Sequence, residues 1–192
     1  MKEIKKHKGP VFVMQSAMNI DRIVTMYKAS RSCGRVFLED FYMAEVASAA
    51  GLNIPNPRSF KDVKVFTTKG LDGKQYDKFN DYGIRKISKE DISNEYFSMC
   101  IRSSMENYLI KLSQLMSFED GILIYSMWKG YEEQMQMKKF LETCKDLGLE
   151  IKYFHTSGHA DSFTIMELIE HTNPTNIMPI HTENADWFKT FL

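Results

Sequence analysis

Short, nearly unbroken apolar runs recur along this 192-residue chain, and the stretches between them carry helical periodicity instead of the alternation of half-buried strands. The runs are "VFVM" at 11–14, "VFL" at 36–38, "ILIY" at 122–125, "IKYF" at 151–154 and "NIMPI" at 176–180. Runs of this kind suit strands buried on both faces, as in a parallel sheet. Ile20, Ile23, Val24 and Tyr27 follow the i, i+3, i+4, i+7 spacing of one helical face. So do Met105, Tyr108, Leu109 and Leu112, and again Met137, Phe140, Leu141 and Cys144. Gly34, Gly121 and Gly148 stand between a helical stretch and the next strand, where a cap or tight turn favours a residue tolerant of positive φ. Strands that alternate with amphipathic helices predict an α/β fold: a doubly wound, mostly parallel sheet with helices on both faces and right-handed crossovers. Ligands of such a sheet gather at the carboxyl ends of its strands.

The pattern loosens over 52–95, where "NIPNPRSF" reads as turns, "DVKVFTT" as an edge strand and "GLDGKQYDKFNDYG" as a turn followed by a helix. Apolar residues continue through it, so it reads as an irregular insertion on an α/β domain spanning 1–150. The segment 151–192 reads as a second, C-terminal β-α-β-α piece. No apolar run approaches the roughly 18 residues of a membrane span, and the start "MKEIKKHKGPVFVMQ" lacks the h-region and cleavage site of a signal peptide. The expected location is the cytoplasm. Cys33, Cys100 and Cys144 are scattered without CxxC spacing, as buried free thiols would be. Formal charge is zero, with a basic first half and an acidic second, so nucleic-acid contact would need a local patch.

Three strand ends share one theme. "VFVM" is followed by "QSAMNIDR", "ILIY" by "SMWKGYEE" and "IKYF" by "HTSGHADS". Each places hydroxyls, amides or free N–H groups at a helix N-terminus, which suits helix capping and also suits an anion such as phosphate. Capping accounts for any one loop, whereas three converging loops with Arg22 and two histidines point toward an anion site. Four of the five histidines fall within 155–181. His7 lies in a charged leader and His171 near a helix C-terminus, and both read as surface residues. His155 and His159 flank Ser157–Gly158 after one strand, and His181 ends the next, with Glu183 two residues on. Strand-end histidines in consecutive units can face one crevice.

"HTSGHAD", a helix, and then "PIHTEN" resemble the C-terminal motifs of metallo-β-lactamase hydrolases with a β-CASP insertion, the group that contains ribonuclease J and the cleavage factor nucleases. "FVMQSAMNIDRIVTMYKASRSCGRVFLED" and "GILIYSMWKGYEEQMQMKKFLE" resemble the β-CASP domain, so the likeness runs from about residue 10 to 190. It implies that His159 contacts the scissile phosphate and assists proton transfer, and that His181 ligates one of two zinc ions. It implies that His155 and Ser157 lie beside the phosphate, and that Ser16, Asn19, Arg22, Ser126 and Trp128 line a substrate channel. A phosphodiester needs charge neutralisation and a deprotonated water near neutral pH, and two zinc ions supply both.

The sequence departs from that family in two places. Thr182 follows His181 where the family has Gly, and the HxHxDH loop of the metallo-β-lactamase half does not occur in the sequence. Catalytic zinc typically takes three protein ligands, so one firm candidate implies no zinc, or weak binding, in this chain alone. The expected partner is the missing N-terminal half, and the expected substrate is RNA or another phosphoester. Residues 151–192 would extend the sheet, pair with a second copy in a homodimer, or stay poorly ordered. A reading from another class is a stand-alone doubly wound module that binds a phosphate- or nucleotide-bearing ligand without catalysis. GxGxxG and GxxxxGK[ST] are both missing from the sequence, which speaks against ordinary dinucleotides and triphosphates.

Overall fold

The computed structural model describes residues 1–154, 160–180, 182 and 184–191. These form two compact units, Met1–His155 and Thr156–Leu192. In the first unit a short helix α1 (Lys2–Lys6) precedes strand β1 (Val11–Met14), helix α2 (Ile20–Arg31), β2 (Val36–Asp40) and α3 (Phe41–Ala50). Then come β3 (Val63–Phe66), α4 (Gly73–Asn80), α5 (Lys89–Ile92), β4 (Phe97–Ile101), α6 (Glu106–Ser113), β5 (Ile122–Tyr125), α7 (Met135–Asp146) and β6 (Glu150–Tyr153). All six strands are parallel in one sheet of order β3-β2-β4-β1-β5-β6. The doubly wound α/β expectation is met.

Strand order explains the layering. From β1 the chain steps to β2 and β3 in one direction, and from β4 to β5 and β6 in the other. Right-handed crossovers therefore put α2 and α3 on one face and α6 and α7 on the opposite one. The packing agrees. Val11 and Val13 of β1 meet Ile23 and Tyr27 of α2 and Met43 of α3, while Phe12 and Met14 belong with Leu109 of α6 and Phe140 of α7. Every residue of β1, β4 and β5 is buried, which is why β1 and β5 read as continuous runs and not as alternation.

Two elements differ from the sequence reading. The strand β4, in the middle of the sheet, was not expected, because Ser98 interrupts its short apolar run; Ser98 is nonetheless fully buried. The expected strand at 176–180 is not formed: no described residue there pairs in a ladder, and Met178 and Ile180 are exposed. A parallel strand gains its stability from neighbours on a sheet, and Pro179 offers no N–H to one. The 52–95 stretch supplies the edge strand β3 as expected, and α5 begins with a reciprocal capping box of Ser88 and Asp91.

The glycines also divide. Gly34 and Gly148 adopt φ of +72° and +90°, as turns after helices require. At the third position the left-handed residue is Asp120, with φ +54°. Gly121 is needed instead for space: a Cβ there would lie 2.7 Å from the Phe118 carbonyl oxygen and 2.9 Å from Leu149 Cδ2.

The second unit contains α8 (Ser162–Thr172), whose N-cap Asp161 accepts from Thr164 N–H and whose C-cap Asn173 is left-handed. None of its described residues is buried. His171 is exposed on α8, as expected of it.

Candidate functional site

The six strands end flush. Register aligns Met14 with Ile101 and Tyr125, Tyr125 with Tyr153, and Asp40 with Phe66. The residues just beyond them therefore form one edge.

At the β1, β5 and β6 end of that edge, local turn chemistry aims a guanidinium. Ser16 Oγ accepts from Met18 N–H at 3.2 Å, and Asn19 Oδ1 accepts from Arg22 N–H at 3.0 Å, capping α2. Arg22 thus sits in the first turn of α2. Its guanidinium donates to Ser126 Oγ and, at 3.3 Å, to the Phe154 carbonyl. The Ser126 hydroxyl donates to that same carbonyl. Phe154 N–H donates to Tyr125 O at 2.9 Å, and Ser126 N–H to Met14 O at 2.9 Å. The peptide that leads into His155 is therefore anchored to β1, α2 and β5 together.

Of the expected site residues, Arg22 and Ser126 are brought together. Ser16 and Asn19 use their side-chain oxygens in a turn and a cap. Trp128 is 56% exposed, its ring lying over Gly130 and edge-on to Tyr131 at 5.5 Å between centroids. His155, Ser157, His159 and His181 lie outside the described residues.

Sequence reasoning missed a polar cluster nearer the sheet's other edge. Glu39 on β2 is fully buried, and neither carboxylate oxygen has a hydrogen-bond partner among the described residues. Burial, with the neighbouring Asp40 charge, pushes its carboxyl well above the ordinary carboxylate range, which favours the protonated form. Asp40 caps α3 through Met43 N–H and pairs with Arg102 Nη2 at 2.5 Å. Burial still raises its pKa against the pull of Arg102. The Arg102 guanidinium also stands 5.2 Å from the Tyr42 ring centroid. The signal was present in "VFLED", an acidic pair closing an apolar run.

Metal chemistry has little support among the described residues. No group of three or more His, Cys, Asp or Glu could hold an ion there. Burial keeps the Cys100 and Cys144 thiols protonated, the latter with its pKa pushed up to about 12. The described residues do not fit a zinc cage, and His181 is not among them. Residues 146–190 match the model of the RMMBL family, the Zn-dependent metallo-hydrolase RNA specificity domain. No curated protein matches the chain. The matched stretch, under a quarter of the chain, begins at the end of α7 and takes in β6 and α8. It therefore includes the Phe154 peptide held by Arg22 and Ser126, and all four of the histidine and serine positions left undescribed. This segment is similar to a domain of metal-dependent hydrolases that act with RNA specificity. No helix among the described residues is long and apolar enough to cross a membrane.

Proposed function

We propose that this chain is the β-CASP and C-terminal portion of a zinc-dependent metallo-β-lactamase-fold hydrolase, a ribonuclease J-like phosphodiesterase acting on RNA in the cytoplasm. Residues 1–150 are its β-CASP-like domain and 151–192 its return to the metal-binding half. The observation that carries this reading is the RMMBL match over the histidine-bearing segment 146–190. It is supported by a doubly wound sheet whose strand ends fasten the entry to that segment.

In this reading His181 ligates metal, and His159 meets the scissile phosphate and moves a proton to the leaving group. His155 and Ser157 flank it, while Arg22 and Ser126 hold the Phe154 peptide so that the loop starts from a fixed point. Trp128, Ser16 and Asn19 line the approach. The HxHxDH ligands come from a metallo-β-lactamase half that this sequence does not contain, so the chain by itself is inactive.

The test is reconstitution. Joined to an HxHxDH-bearing half, the chain is expected to gain metal-dependent cleavage of single-stranded RNA. His159→Ala should abolish turnover with zinc content near normal, whereas His181→Ala should lower zinc content. Zinc lost from His159→Ala would reverse the two roles, and an assembled protein that leaves RNA intact would overturn the reading.

A further inference from the structure

Adjacent strands β4 and β1 send their following helices, α6 and α2, to opposite faces of the sheet, and so do β2 and β4. Loops that part in this way open a crevice at the carboxyl edge. Two cavities occupy it, of about 450 and 300 Å³, and Tyr42 and Arg102 line both.

The smaller cavity has apolar walls that include Met18, Met127 and Met137, with Tyr42 along one side. Its volume is at the lower end of the roughly 300–1,000 Å³ of small-molecule pockets, enough for one planar ring system. Methionines adapt to such an occupant. Gln15 also lines it and is 3% exposed. Gln15 Nε2 reaches only Cys100 Sγ at 3.8 Å, and Oε1 has no partner among the described residues. Whichever way the amide is turned, one end is left for a ligand to satisfy. A heteroaromatic edge with adjacent donors and acceptors does this.

The larger cavity is the more polar of the two. Thr67, Thr68 and Lys69 enter it from the end of β3, and Lys78 from α4. Among the described residues no ion pair is made by Lys69 and no side-chain hydrogen bond by either threonine hydroxyl, while the acids nearby are engaged: Asp40 by Arg102 and Glu45 by Arg58 at 3.0 Å. Uncommitted hydroxyls beside an uncommitted ammonium suit a phosphate.

We infer that this crevice binds one nucleotide unit, its base in the Tyr42–Gln15 cavity and its phosphate against Thr67, Thr68 and Lys69, with the sugar crossing the Arg102–Tyr42 wall. The inference deepens the RNA reading above and rests on it for the strand. From Arg102 beyond β4 to Phe154 beyond β6 is three strand spacings, about 14 Å. A short single strand seated here spans to the Arg22–Ser126 end of the same edge.

The experiment titrates the full chain by calorimetry with the four nucleosides, their 5′-monophosphates, inorganic phosphate, and a single-stranded RNA hexamer. Monophosphates are expected to saturate one site with base preference, and phosphate alone to bind far more weakly. Tyr42 and Lys69 are exposed, so their variants should fold, which thermal melts check. Tyr42→Ala should weaken binding by about tenfold or more, and Lys69→Ala should weaken monophosphates but not the nucleosides. A hexamer that binds more tightly than any monophosphate, and loses that in Tyr42→Ala, identifies a residue of a strand. A hexamer no tighter than the monophosphate identifies a free nucleotide. Absence of saturable binding, or binding unchanged in both variants, overturns the pocket. RNA cleavage by the reconstituted hydrolase is a separate readout. Cleavage without nucleotide binding removes this inference alone, and nucleotide binding without cleavage removes the hydrolase reading alone.

Discussion

Glu39 shows how much a single side chain can hide from sequence reading. On β2 it continues the alternation of Phe37 toward the α2 and α3 face, so the pleat leaves it no route to water. Its folded pKa is raised above its ordinary 4.5. The folded protein therefore keeps a proton that the unfolded chain releases, and stability falls as pH climbs from about 4.5 through the folded value, by up to about 1.4 kcal/mol per pH unit. Glu39→Gln should remove that slope. Urea denaturation of both proteins between pH 4.5 and 7.5 measures it, and parallel curves would rule out a retained proton. Ser126 offers the opposite case, a residue visible in the sequence whose role changes in the fold. With its hydroxyl between Arg22 and the Phe154 carbonyl, Ser126→Ala is expected to cost about 1 kcal/mol and to speed hydrogen exchange at the Phe154 amide. An unchanged exchange rate would show that Arg22 suffices to hold the peptide.

At the scale of elements, the helices were legible because their stripes face a sheet that is apolar on both sides. Ile23 and Tyr27, Leu109 and Leu112, and Phe140 and Cys144 are all buried where their periodicity places them. Strands with unbroken runs were legible for the same reason. The central strand β4 was not, since Ser98 breaks the run and only its neighbours β1 and β2 reveal that the position is interior. Between helix and strand, the three glycines look alike in sequence but answer to different constraints. Gly148 has open space and a left-handed backbone, so Gly148→Asn should be tolerated within about 1 kcal/mol, Asn entering that region readily. Gly121 meets backbone, and Gly121→Asn should cost about 1–3 kcal/mol through overpacking. Thermal melts of the two variants would distinguish them, and equal losses would refute the distinction.

Taken whole, the chain concentrates its stability in one unit. Among the described residues, all six strands and every buried position lie within Met1–His155, and none in Thr156–Leu192 is buried. A chain ending at His155 should therefore unfold cooperatively, with a midpoint within a few degrees of the full chain and nearly the same denaturant slope, since that slope follows the surface exposed. Loss of a cooperative transition would show that the last segment completes the core. The alternation of apolar runs with helical stripes was by itself enough to determine a parallel, doubly wound sheet, because burial on both faces leaves a local imprint in residue type. The order β3-β2-β4-β1-β5-β6 was decided only by the tertiary structure, and with it the meeting of Tyr42, Arg102, Gln15 and Lys69 from four separate stretches of chain. Such encounters depend on which strands become neighbours, and strand adjacency leaves no local periodicity to read.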